Sequence, residues 1–281
     1  MTKSDNLVRD VHDAVAGSDI LAEAGVRPAG TTARELRAMQ RDVLRKLQLD
    51  REASVVEIGC GIGLLGVPVA RRAGRYVGLD FAPRAVEVAN GRLLAAGLAP
   101  RARAMCVDIL GADREMLKAL GRFDRVLVYS VLHYARTDAE AVRFLRSTVD
   151  LLAPRGRALV GNIPLEDLLI DWSASAAPAA GLLARLLAAT RWTARGGSAP
   201  VALTRRWKLR RLAEMALKAP SAAAEFAPAR LPSGYTISLT TDAVERWLTT
   251  LGEELVSRWE LPAPGVPLAA ARADLIVSRP R

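Results

Sequence analysis

Residues 55–63 read Val55-Val56-Glu57-Ile58-Gly59-Cys60-Gly61-Ile62-Gly63, an apolar run that feeds a turn with three glycines in five positions. The spacing predicts a strand, a tight turn and a helix opening at about Leu64. Glycines there permit positive φ and remove the Cβ atoms that would block a ligand lying over the strand ends, the usual binding place in an open α/β sheet. Glu57, two residues before the first glycine, brings a carboxylate to that mouth, where it can meet an ammonium group directly or through water. Gly61 to Gly66 also satisfies the GxGxxG pattern of dinucleotide sites, so the turn alone leaves the ligand open.

The rest of the chain agrees with a parallel α/β fold. Apolar, β-rich runs recur at Val55–Ile58, Tyr76–Leu79, Ala102–Val107, Phe123–Tyr129 and Arg157–Asn162, separated by helical patterns, which is the rhythm of βαβ units. Thr32 with Glu35 marks a helix to about Gln48, carrying Leu36, Met39, Val43, Leu44 and Leu47 on one face. Thr137 with Glu140 marks another, with Val142, Leu145, Val149 and Leu152 as its stripe, ending before Pro154 and Gly156. After Asn162 the alternation stops for some 70 residues rich in Ala, Leu and Arg, then resumes with a helix over Thr241–Leu251 and strands at Leu255–Leu261 and Ala273–Ser278. The expected organisation is an amino-terminal helical arm or lid over 1–52, a sheet domain from 53–162 and 233–281, and a helical cap inserted at 163–232.

Charge narrows the partners. The net charge is +10, and nine basic residues between Arg185 and Lys218, against Glu214 alone, carry +8 of it. One local basic feature is expected, not a general nucleic-acid surface. Cys60 and Cys106 are too few for a disulfide framework, and His12 and His133 are the two histidines, so a reduced, metal-free chain is expected. No apolar run reaches membrane-spanning length and the first residues lack a signal-peptide core, which points to the cytoplasm.

Two acids separate the candidate ligands. A dinucleotide fold uses an acid like Asp80, at the end of the second strand, for ribose hydroxyls, but has no standard task for Glu57 or for Asp108 after the third strand. Together these residues resemble the class I S-adenosylmethionine-dependent methyltransferases, continuously over 53–162 and more loosely over 241–278. The resemblance implies a Rossmann-like seven-stranded mixed sheet, mostly parallel with the last strand antiparallel. It implies S-adenosylmethionine as cofactor and S-adenosylhomocysteine as product. It places Gly59, Cys60, Gly61 and Gly63 at the methionine part, Asp80 at the ribose, Phe81 on the adenine face, and Asp108 and Ile109 at the adenine amino group and its apolar edge. Ser130, at the end of the fourth strand, would line the methionine part and face the acceptor.

The acceptor side is less determined. Tyr129-Ser130-Val131-Leu132-His133-Tyr134 departs from the Asn-Pro-Pro-Tyr type shared by amino-methylating enzymes of nucleic acids and glutamine, which disfavours a base amine as acceptor. Methyl transfer is an in-line displacement that needs a base only when the nucleophile must lose a proton. His133 is the candidate base, or else a packing residue. His12, from the arm, and Asn162, leaving the fifth strand, are candidate acceptor contacts. Glu166, Asp167 and Asp171 are fallback bases, or simply first-turn helix acids. The expected activity is O-methylation of a small-molecule or carrier-linked metabolite, anionic acceptors included. N- or C-methylation, an RNA- or membrane-associated protein on the same fold, and an NAD(P)-dependent oxidoreductase are the alternatives.

Overall fold

The structure, a computed structural model, describes residues 33–111, 114–165, 239–263, 266 and 272–280. In chain order the elements are α1 (Ala33–Leu47), β1 (Ser54–Ile58), α2 (Gly66–Ala70), β2 (Arg75–Asp80), α3 (Pro83–Ala95), β3 (Ala102–Cys106) and α4 (Arg114–Leu120). They continue with β4 (Phe123–Tyr129), α5 (Asp138–Asp150), β5 (Leu152–Pro164), α6 (Thr241–Thr249), β6 (Val256–Glu260) and β7 (Arg272–Ser278). The strands form one sheet in the order β3-β2-β1-β4-β5-β7-β6. The pairs β2-β3, β1-β2, β1-β4 and β4-β5 are parallel, and β7 runs antiparallel between β5 and β6, as the sequence resemblance implied. Strand order reverses at β1, between β2 and β4, which opens a crevice above the carboxyl ends of these strands.

Period-two alternation assigns the two faces of the sheet. Val55, Leu127, Leu159 and Ile276 pack with Met39, Val43, Leu44 and Leu47 of α1. Their neighbours Val56, Val126, Val160 and Leu275 pack on the other face with Phe144, Leu145 and Val149 of α5 and Val244, Trp247 and Leu248 of α6. The helix periodicity of α1 and α6 therefore reads the core correctly. At α5, Thr137 accepts the Glu140 N–H at 3.1 Å, the first half of the capping box. The second half is missing, because the Glu140 carboxylate turns to the N–H and guanidinium of Arg136 instead, both at 2.8 Å. There the carboxylate gains an ion pair with the guanidinium as well as a backbone N–H, more than the single N–H of the cap would give it.

Some boundaries differ from the sequence expectation. The helix after the glycine turn opens at Gly66, not Leu64, and is five residues long. Leu152 belongs to β5 and not to the stripe of α5. Pro154 and Gly156 fall within an irregular stretch of β5, where pairing with β4 shifts from Phe123↔Leu152 to Arg125↔Arg157 and Arg155 takes a φ of 60°. Strand β5 also continues to Pro164. Most of the arm at 1–52 and of the inserted segment at 163–232 lies outside the described residues, as do His12, Glu166, Asp167, Asp171 and the basic segment 185–218.

Two buried polar groups tie the core to the sheet's carboxyl edge. Lys46, on α1, is fully buried; its ammonium donates to Asp42 at 2.7 Å, to the Leu261 carbonyl at 3.1 Å and to the carboxylate of Asp274 on β7. Asp274 also accepts the Asn162 N–H at 2.7 Å, so α1, β7 and the end of β5 meet at one cation. Glu57, on β1, is 2% exposed and accepts a 2.6 Å hydrogen bond from the Tyr76 hydroxyl on β2. Burial pushes its carboxyl up to about 8, against the pull of that hydrogen bond, with Asp80 adding a smaller push.

Lys46→Met leaves the Asp274 carboxylate buried without its cation, and should cost about 3–5 kcal/mol in urea unfolding; an unchanged midpoint would deny the network a structural role. The raised Glu57 value makes its contribution to stability full below the ordinary carboxyl value near 4.5 and lost as pH rises through about 8. Glu57→Gln should therefore remove a fall in stability of the order of a few kcal/mol between those limits. Parallel pH–stability curves for the two proteins would contradict this.

Candidate functional site

The glycine turn is built by internal hydrogen bonds. Gly59, at φ 72°, and Cys60 both donate their N–H groups to the Leu79 carbonyl on β2, at 2.7 and 3.0 Å. Gly61 donates to the Asp80 carboxylate at 2.7 Å, and Gly63 to the Cys60 carbonyl at 3.0 Å. The other Asp80 oxygen accepts the Ala82 N–H at 3.0 Å, so this acid braces the turn as well as facing the crevice. A Cβ on Gly59 would stand 2.3 Å from Val131, which fixes glycine at the closest approach of the β1 and β4 ends. Gly66 is required for another reason, since a Cβ there would meet the Tyr76 hydroxyl that holds Glu57, at 2.4 Å.

The cavity above these strands is lined by β1 through Glu57, Ile58, Gly59, Cys60 and Gly61, by β2 through Leu79, Asp80 and Phe81, and by the end of β3 through Val107, Asp108, Ile109 and Leu110. From β4 and the following turn come Tyr129, Ser130, Val131, Tyr134 and Ala135. Three acids, Glu57, Asp80 and Asp108, thus mark successive strands, with apolar side chains between them. No lysine or arginine stands among these lining residues. Asp108 is exposed, and its Oδ1 accepts the N–H groups of Leu110 and Gly111 at 3.1 and 3.3 Å. Burial, with Glu57 and Asp80 nearby, pushes the Cys60 thiol up, so this cysteine lines the wall as a neutral group.

The far end of the cavity is organised by two left-handed residues. Ser130 has φ 63° and Asn162 φ 59°, and the Asn162 amide donates to the Ser130 hydroxyl at 2.6 Å. Tyr129 lies against Gly161, where a Cβ would fall 2.5 Å from its ring. Arg272 donates to the Asn162 carbonyl at 2.8 Å. His133 sits in a short 3-10 turn, Leu132–Tyr134, with its ring 4.6 Å from that of Tyr134. It is not a wall residue; Val131, Tyr134 and Ala135 line the cavity around it.

The structure thus gathers Glu57, Gly59, Cys60, Gly61, Asp80, Phe81, Asp108, Ile109 and Ser130 around one cavity. Gly63 packs against Ala89 of α3, with 3.4 Å to a Cβ, and serves the turn from outside the wall. Asn162 acts on the wall through Ser130. Sequence reasoning missed Tyr76, Val131, Tyr134 and Arg272. Tyr134 adjoins His133 in the motif already singled out, whereas Tyr76 and Arg272 carry no local signal because their partners are remote in sequence.

Residues 56–158 match the model of a family described as a methyltransferase domain. A ubiquinone biosynthesis O-methyltransferase of Cereibacter sphaeroides is 36% identical over 110 residues, covering 39% of this chain and 40% of that protein. The chain thus spans about two fifths of the length of the curated relatives it matches. Magnesium protoporphyrin IX methyltransferase from Synechocystis, solved with bound S-adenosylhomocysteine, superposes with a TM-score of 0.55 at 14% identity, covering 99% of this chain and 100% of that one. An N-methyltransferase of Bradyrhizobium japonicum, in complex with S-adenosylhomocysteine, superposes at 0.53 with 16% identity and covers 95% of each chain. These two likenesses speak for the fold, and the family match, running from β1 into β5, takes in the glycine turn, Asp80, Asp108 and Ser130. Residues 56–158 therefore resemble a methyltransferase domain, and the sheet that carries them has the fold of these two solved methyltransferases.

Proposed function

We propose that this chain is an S-adenosylmethionine-dependent methyltransferase that acts on an oxygen of a small-molecule or carrier-linked acceptor and releases S-adenosylhomocysteine. One observation carries the cofactor reading: among the described residues the cavity is lined by three acids and no basic side chain, and the N–H groups of Gly59, Cys60, Gly61 and Gly63 are already used within the protein. A pyrophosphate needs free N–H groups or cations at such a turn. A sulfonium nucleoside with an ammonium tail carries positive charge and hydrogen-bond donors, which the acids accept. The same features speak against the dinucleotide reading.

In this reading Glu57, Gly59, Cys60, Gly61, Gly63 and Ser130 hold the amino-acid tail, Asp80 the ribose hydroxyls, and Phe81, Asp108 and Ile109 the adenine. The bound cofactor supplies an electrophilic methyl group. The chain's own task is alignment, with apolar walls such as Val131 and Phe144 excluding water. The arm at 1–52, with His12, and the segment at 163–232 are proposed to cover the acceptor side, where Asn162 and Ser130 stand. Transfer to oxygen is supported by the character of the Cereibacter relative and by the absence of an amine-type motif after β4. His133 is the proposed base for a hydroxyl acceptor, standing in the turn between the wall residues Val131 and Tyr134.

Calorimetric titration should show binding of S-adenosylhomocysteine and none of NADH, with Asp80→Ala weakening it at least about tenfold, since hydrogen bonds to a charged group are each worth about 1.5–3 kcal/mol. Preference for NADH would overturn the cofactor assignment. With an acceptor found by screening, His133→Gln should lower kcat by about a hundredfold or more and abolish the rise of rate with pH through the imidazole range, because the base works only when deprotonated. An unchanged kcat would leave His133 a packing residue.

A further inference from the structure

We infer that Arg272 recognises an anionic group of the acceptor, a carboxylate or a phosphate, at the end of the cavity beyond Ser130 and Tyr134. This rests on the methyltransferase reading of the same cavity and adds the chemical class of its second ligand.

Arg272 opens β7 opposite Pro164, at the carboxyl edge of β5. One Nη1 bond to the Asn162 carbonyl is its hydrogen bond among the described residues, and that same Asn162 holds Ser130 on the cavity wall. A guanidinium carries five N–H donors in a planar fork, so most of this one awaits acceptors in a partly buried place.

Its surroundings do not neutralise it. Asp274, two residues along the same face of β7, is engaged by Lys46 and the Asn162 N–H. The groups within electrostatic reach are the phenols of Tyr129 and Tyr134, and burial lowers the guanidinium's affinity for its proton. Most other half-buried arginines are provided for differently, Arg92 on α3 excepted. Arg136, Arg146 and Arg279 pair with Glu140 and Glu253. Arg125 and Arg157 bond carbonyls at the end of α1, where the helix dipole favours cations. Arg272 has neither a carboxylate within ion-pair distance among the described residues nor a helix terminus.

The cavity is therefore polarised. Acids line the half assigned to the cofactor, and a guanidinium stands behind the other end, bonded through Asn162 to the wall residue Ser130 and within electrostatic reach of the wall residues Tyr129 and Tyr134. A planar oxyanion would take two parallel N–H bonds from the fork.

The test titrates benzoate, phenyl phosphate and neutral benzamide into wild type, Arg272→Gln and Arg272→Lys, each with and without saturating S-adenosylhomocysteine. Wild type is expected to bind one of the two anions at least tenfold more tightly than benzamide, and the preferred anion tells carboxylate from phosphate. Arg272→Gln should lose that preference and Arg272→Lys retain part of it, with S-adenosylhomocysteine affinity unchanged in both. Absence of preference in wild type, or its persistence in Arg272→Gln, overturns the inference. If Arg272→Gln does not fold, the wild-type comparison and Arg272→Lys decide, the inference failing if the lysine protein matches wild type. Failure of wild type to bind S-adenosylhomocysteine would sink the cofactor reading instead, because anion preference is read without it.

Discussion

The ammonium of Lys46 is the point on which the carboxyl edge of this sheet depends. An ion of that kind inside a protein is tolerated when its donors are filled by charged or polar acceptors, and Asp42, Asp274 and the Leu261 carbonyl fill them. The consequence reaches the cavity in two steps. Asp274 is fixed by the ammonium and accepts the Asn162 N–H; Asn162, held in a left-handed conformation, then holds Ser130 on the wall. A helix that looks like simple packing on one face of the sheet thus sets the backbone at the place where an acceptor would sit.

The cofactor half is built on a different economy of hydrogen bonds. Its glycine turn satisfies its own N–H groups with Leu79, Asp80 and Cys60, so the turn presents shape and carboxylates in place of an anion-binding nest. Glu57 is the extreme case: enclosed beside Tyr76, it holds its proton at neutral pH, and a cationic ligand arriving near it would favour the ionised form. The same carboxylates make this half inhospitable to phosphate.

Much of this was legible in the sequence, for identifiable reasons. Strand rhythm, the faces of α1 and α6 and the glycine turn follow from local periodicity and from the steric demands of a few residues. Asp80, Phe81, Asp108 and Ile109 are picked out by the family resemblance, and the structure places all four on the cavity wall. Lys46 reads locally as an ordinary last-turn lysine, and nothing near it announces Asp274. Tyr76 reads as a strand aromatic, and Arg272 as a polar residue before the last strand. Their roles arise from contacts between remote segments. The side chains of β5 around Pro154 and Gly156 misled for the opposite reason, since strong turn formers there sit inside a strand's irregularity.

The Lys46–Asp274 contact joins positions 228 residues apart. Closing so long a loop comes late in assembly, because its entropy must be met before the contact rewards it. Until β7 inserts between β5 and β6, Lys46 lacks Asp274 and keeps Asp42, on its own helix, as its carboxylate partner. A sheet without β7 therefore leaves the Asn162 N–H without its Asp274 acceptor, and with it the support of Ser130 on the cavity wall. The order of folding is written into the cavity: the part made from β1, β2 and β3 has the means to form early, while the end at Ser130 and Asn162 waits for the last strand.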